Sequence, residues 1–281
     1  MTLTGLVEPR PDAASVAAAE EDVHLSCVLS DAVSIARRNL IALFRVPTTL
    51  VFSTVQPVIF VLMFRYVFGS AIPLRGVSYV NYLMPGIFVQ TVCFGSTQTG
   101  VGLADDLQKG LIERFRSLPM ARSAVLAGRT LADSARNVFV IAIMVIVGFI
   151  VGFRPHTNVV EFALAMIVML VFGFAVSWIM AFIGLTTKNA EAAQAASFPL
   201  MALLVFASNV FVPTAKMPGP LRAYANHQPV SATVSLVRSL LGSGLPGHAS
   251  TASQAVSASL WIAGMLVVFV PLAVYRYRQA A

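Results

Sequence analysis

Long apolar windows alternate with short polar joints along most of the chain. Six windows stand out, at about 50–68, 84–103, 124–153, 162–185, 195–212 and 256–274. Each approaches the roughly 20 residues that a helix needs to cross a bilayer, so the pattern predicts six spanning helices. Before the first window, Leu29, Val33, Ala36, Leu40 and Leu43 form one stripe, with Asp31, Ser34, Arg38 and Arg45 facing away. That segment is capped by Ser30, ends at Pro47 and is too charged to span, so it is expected to lie in the membrane interface. Residues 1–29 are Ala-rich and acidic and are read as a disordered cytosolic tail rather than a signal peptide.

Two stretches break the apolar rhythm. Residues 105–122 read DDLQKGLIERFRSLPMAR. Leu107, Leu111, Phe115 and Leu118 recur on one helical stripe and Asp106, Lys109, Glu113 and Arg116 on another. Pro119 stops the pattern, because it lacks a donor and clashes with the preceding turn. A short charged helix between two spans either lies on the bilayer, docks on a soluble partner, or is a solvated loop that carries topology charges. The second stretch follows the fifth window, where Val212-Pro213, Met217-Pro218-Gly219-Pro220 and Gln228-Pro229 interrupt the chain. Val230, Val234, Val237 and Leu241 then form a stripe with Ser231, Ser235 and Arg238 opposite. Two short helices dipping into the outer leaflet are expected, since non-helical backbone at that depth must be buried in protein or line a wet cavity.

Composition agrees with a membrane protein. The chain is 57% hydrophobic and 11% charged, against about 25% charged in soluble domains, and its mean hydropathy is +0.80. The formal charge of +7 needs no nucleic acid, since basic residues gather on the inner side of membrane helices. With both termini inside, the inner set is Arg37, Arg38, Arg45, Lys109, Arg114, Arg116, Arg122, Arg129, Arg136, Lys188, Arg276 and Arg278. The outer set is half as long: Arg65, Arg75, Arg154, Lys216, Arg222 and Arg238. This places residues 105–122 in the cytosol.

Much chemistry is missing from the sequence. The carboxylates fall in the tail, in loops or at span ends, whereas ion-coupled carriers usually hold their ion on groups inside the membrane. His24, His156, His227 and His248 are scattered, Cys27 and Cys93 show no metal or disulfide spacing, and Cys93-Phe94-Gly95-Ser96 is no nucleophile elbow. Ser96 is expected to satisfy its hydroxyl within its own helix. Without a G-x-x-x-x-G-K-[ST] loop the chain cradles no ATP of its own. An enzyme is not expected, and energy for any driven transport has to come from another subunit.

The ordered motifs are Tyr82-Leu83-Met84-Pro85-Gly86-Ile87, Glu113-Arg114-Phe115-Arg116-Ser117-Leu118-Pro119, Phe211-Val212-Pro213 with Met217-Pro218, and Gln228-Pro229-Val230-Ser231 followed by Val237-Arg238. Together they resemble those of the ABC-2 type permeases, and among them the daunorubicin-resistance-like exporters of actinobacteria. The family often has Asn-Pro where this chain has Gln228-Pro229. The resemblance implies an all-α membrane protein of type V, ABCG-like exporter architecture over residues 30–281. It would have six spans, an elbow helix near residues 30–45, a cytosolic coupling helix and outer re-entrant helices. It also implies a half-transporter in the bacterial cytoplasmic membrane. Two permeases, identical or homologous, would pair above two copies of a cytosolic ATPase that carries the ATP and Mg.

Within that frame Leu111, Glu113, Arg114, Phe115, Arg116 and Leu118 are the candidate contacts to the ATPase, with Phe115 as anchor. Glu113 and Arg114 would set register, although Glu113 could equally pair internally with Lys109 or Arg116. Arg129, Asp133 and Arg136 share a face and are read as structural, tying the loop to the span end. Gln56, Gln90, Phe94, Thr97, Phe206 and Asn209 are candidate path residues for a lipid or hydrophobic drug. The same amides could be interhelical glue and the rings ordinary packing. A membrane-embedded sensor that signals through its cytosolic loop, and a channel, are the competing classes.

Overall fold

The computed structural model describes residues 47–67, 69, 77–110, 122–187, 189–244 and 250–280, and among them all regular structure is helical. Helix α1 (Pro47–Leu62) runs into a π-helical turn, Met63–Val67. Then come α2 (Tyr79–Gln108), α3 (Arg122–Val151), α4 (Val159–Thr187) and α5 (Ala190–Phe206). After a 3-10 turn at Thr214–Lys216 come α6 (Gly219–Asn226), α7 (Pro229–Leu240) and α8 (Thr251–Ala280). Residues 1–46, with the expected tail and elbow helix, lie outside the described residues.

Among the described residues, three segments are long and apolar enough to cross a membrane: Ala132–Val151, Val159–Thr187 and Thr251–Tyr277. α1 and α5 are apolar but shorter. α2 has the length, 30 residues, yet carries Asn81, Gln90, Thr91, Ser96, Thr97, Gln98 and Thr99. It tolerates them because it is the axis of the bundle, packed against α1, α3, α4, α5 and α7. Its hydroxyls fold back on its own carbonyls, Thr91 on Ile87 at 2.7 Å and Thr97 on Phe94 at 2.7 Å. Ser96 does so too, on Val92 at 2.9 Å as expected, and also reaches Gly173 of α4 at 3.0 Å. The backbones of α2 and α4 touch where both are glycine: a Cβ on Gly184 would stand 2.2 Å from the Gly100 carbonyl oxygen.

Two expectations about boundaries change. The fifth window was to reach residue 212, but α5 stops at Phe206. Residues 207–212 instead turn across the end of α2, where their carbonyls find side-chain donors. Residues 105–108, expected to open a charged helix, belong to α2 instead, and residues 111–121 lie outside the described residues. α2 continues to Gln108 and breaks at Lys109 and Gly110, whose φ of 66° is left-handed and suits glycine. The two short helices after α5 are present as α6 and α7, each opened by a proline in its first turn.

Candidate functional site

α2 ends and α3 begins on either side of the loop that holds the expected docking residues. Leu111, Glu113, Arg114, Phe115, Arg116 and Leu118 all lie outside the described residues. What is described is the hairpin that carries them. Lys109 pairs with Asp105, one turn back, at 2.7 Å. The hydrogen bond to Asp105 raises the Lys109 pKa and holds it cationic.

Two turns deeper, α3 grips α2 through polar groups. The buried Arg136 donates to the Gly95 carbonyl, Thr99 donates to Asp133, and Arg136 stands 3.6 Å from Asp133 in an ion pair. The close approach depends on Gly95, since a Cβ there would lie 2.7 Å from the Asn137 side-chain oxygen. Asp133 and Arg136 therefore tie α3 to α2; the loop they were expected to hold, and the side chain of Arg129, lie outside the described residues. Their partners, Gly95 and Thr99, carried no signal in the sequence.

The expected path residues lie on α1, α2, α5 and the segment after α5. Gln90 is 2% exposed and Thr97 is also buried, so both point into the protein, while Phe94 is only half-buried, 5.9 Å from the Phe198 ring. Gln56 is exposed on α1 and Phe206 is 48% exposed at the end of α5. Asn209 belongs to a different arrangement. Its amide nitrogen donates to Ser235 at 2.8 Å and its main-chain N–H to Ser231 at 3.2 Å, which fastens the end of α5 to α7.

That fastening is part of a hub around the first turn of α2. The Tyr79 hydroxyl donates to the Phe211 carbonyl at 3.3 Å and the Tyr82 hydroxyl to the Asn209 carbonyl at 2.9 Å. Asn81 pairs twice with the main chain of Arg154, at 3.0 and 2.9 Å, and so holds the α3–α4 connection. Arg238 of α7 closes the hub. It donates to the Tyr82 and Val210 carbonyls at 2.8 Å each and covers the Tyr82 ring, 3.6 Å from its centroid. Arg238 was expected on the polar side of α7, but it is 4% exposed. Among the described residues no carboxylate pairs with it. Aligned carbonyls and an aromatic face can hold a guanidinium at such a site. The motifs around Tyr82, Phe211, Gln228 and Arg238 were visible separately, and the structure brings them into one place.

The chain is similar in sequence to known proteins. The family model described as ABC-2 type transporter matches residues 31–241. The chain is 35% identical over 243 residues, 86% of its length and 84% of the relative's, to a daunorubicin resistance ABC transporter permease protein, DrrB1, of Streptomyces coeruleorubidus. It is 26% identical over 235 residues, 83% of each chain, to a probable doxorubicin resistance ABC transporter permease protein, DrrC, of Mycobacterium tuberculosis. A putative transport permease of Porphyra purpurea is 22% identical over 216 residues, 75% of this chain and 74% of the relative. With its apolar helices and this match across three quarters of its length, the chain is a multi-pass membrane protein that belongs to the ABC-2 type transporter family.

Proposed function

We propose that the chain is the membrane permease subunit of an ATP-driven exporter that moves an amphipathic drug or lipid outward. The observation that carries this reading is its 35% identity, across most of both chains, to a daunorubicin resistance permease. ATP and Mg bind a separate ATPase, present in two copies. α1, α2 and α5 join the three strongly apolar helices to make six spans, with the α2–α3 loop in the cytosol and the α2 hub outside. The loop is the coupling element, and the clamp of Asp133 and Arg136 on α2 makes the two helices that flank it move together.

A second permease, identical or homologous, covers part of this surface. Gln56 on α1, Gln98 on α2 and Gln194 on α5 are all exposed in the single chain. Amides facing lipid are costly, so such residues prefer protein or a wet cavity.

The test is to purify the chain with a candidate ABC ATPase and load the complex into inside-out vesicles with daunorubicin as probe. ATP-dependent uptake with a bound ATPase supports the reading. A chain that binds no ATPase, or that moves no probe when one is bound, overturns it in favour of a sensor or channel.

A further inference from the structure

Two arginines are buried among the described residues, Arg136 at 5% exposure and Arg238 at 4%. Arg136 has a counter-charge, Asp133, at 3.6 Å. No described carboxylate pairs with Arg238. Its Nε and Nη2 donate to the Tyr82 and Val210 carbonyls, and the guanidinium lies over the Tyr82 ring. Dipoles and an aromatic face fix the group in place, but they bring no unit of negative charge to cancel its own. Nη1, which carries two N–H donors, makes no hydrogen bond among the described residues. A guanidinium does not escape by losing its proton.

The sequence offers this end of the bundle almost no carboxylate. The segments that join the helices away from the α2–α3 loop are residues 65–79, 152–161 and 207–251. They carry Arg65, Arg75, Arg154, Lys216, Arg222 and Arg238, with Glu161 as their single acidic residue. Glu161 is exposed in the first turn of α4, where it accepts a hydrogen bond from Thr157 at 2.6 Å. A second copy of the chain would bring the same excess of cations. α2 adds to the positive field. Its N-terminal end, positive by the helix dipole, lies three residues before Tyr82 and has no acidic residue in its first turn.

A buried charge left without a partner is costly. We infer that a small inorganic monoanion, of the size of chloride, binds Nη1 of Arg238 between α7 and the first turn of α2. At 4% exposure the group has no opening for a lipid phosphate or for a bulky organic acid. The cationic face around it concentrates small anions at the entrance. The ion supplies the charge that the chain lacks there, and so links the contact between α2 and α7 to the salt on that side of the membrane. The site is independent of the transported molecule, and its test needs neither an ATPase nor transport.

The experiment uses the full chain, purified in a neutral detergent without chloride. Melting is followed by the reaction of the buried Cys93 with a thiol dye on a Cys27→Ser background. Sodium gluconate is exchanged for sodium chloride or bromide at constant ionic strength. Chloride and bromide are each expected to raise the melting temperature saturably, by about 2–4 °C. Lys216→Gln should keep that rise and Arg238→Met should lose it. In crystals grown with sodium bromide, an anomalous peak is expected within hydrogen-bonding reach of Nη1. Equal melting in gluconate and chloride, or a chloride rise that survives Arg238→Met, overturns the site. A rise produced by phosphate or by added phosphatidylglycerol, and not by chloride, overturns the small ion as its occupant. Where Arg238→Met does not fold, the bromide peak decides: its presence at Nη1 supports the site and its absence overturns it.

Discussion

Arg238 lies over the ring of Tyr82, 3.6 Å from its centroid, and donates through Nε to the carbonyl of that same residue at 2.8 Å. One arginine thus holds both the side chain and the main chain of one tyrosine, 156 residues away in sequence. Its second bond, to Val210, brings in the segment after α5. Three elements distant in the chain meet on a single guanidinium. Its planar fork is what allows this, since an ammonium can neither stack flat nor donate along two fixed directions.

Arg238→Met is expected to be among the most damaging single changes, since charged hydrogen bonds contribute about 1.5–3 kcal/mol each. Arg238→Lys should recover less than half of the loss. Reaction of the buried Cys93 with a thiol dye during heating, on a Cys27→Ser background, reports the unfolding temperature directly. Equal melting of the lysine variant and the parent would show that charge, not the fork, is what matters.

Tyr82→Phe removes the hydroxyl that donates to Asn209 but keeps the ring beneath Arg238. A neutral hydrogen bond contributes about 1 kcal/mol, so this variant should melt only slightly below the parent and well above Arg238→Met. The same thermal assay ranks them.

Gly184→Ala places a methyl 2.2 Å from the Gly100 carbonyl oxygen, where backbone has to move. Overpacking of this kind costs about 1–3 kcal/mol, and expression as well as melting should fall. Gly264→Ala in α8 has nothing within 4 Å of the added methyl. It should be neutral or slightly stabilising by helix propensity. Similar behaviour of the two variants would mean that α2 and α4 are not in backbone contact.

Asp133→Asn weakens the acceptor for Thr99 and the partner of the buried Arg136. Breaking a fully buried pair costs about 3–5 kcal/mol, and the partial exposure of Asp133 brings the expectation down to about 1–2 kcal/mol. Thr99→Val should lose about 1 kcal/mol. Combining the two changes should cost less than their sum, because they remove one shared contact. Strict additivity in the melting data would place Thr99 and Asp133 apart.

Phe115→Asp and Glu113→Arg address the coupling loop. Each should abolish co-purification with the ATPase, while melting of the permease alone stays at the parent value. Retained ATPase binding by both variants would remove residues 111–118 from the contact.

Much was legible before any fold was known. The long apolar windows predicted α3 and α4 to within a few residues and the middle of α8, because a helix satisfies its own backbone groups in an apolar medium. The prolines at 213, 218, 220 and 229 marked the segment that cannot span. The polar residues of α2 were harder to read. Gln90 and Thr97 are buried in the bundle, and polarity alone does not say whether a side chain faces a cavity or its own helix.

The sequence by itself determined that this is a helical membrane protein of the ABC-2 type, since span length, proline breaks and local motifs are short-range properties. Only the tertiary structure decided that Arg238 points inward to Tyr82 and that Gly100 meets Gly184. It alone also showed that Asp133 and Arg136 grip α2. Each of these depends on where one helix lies against another, and a carbonyl that waits for a distant donor leaves no trace in its own residue type.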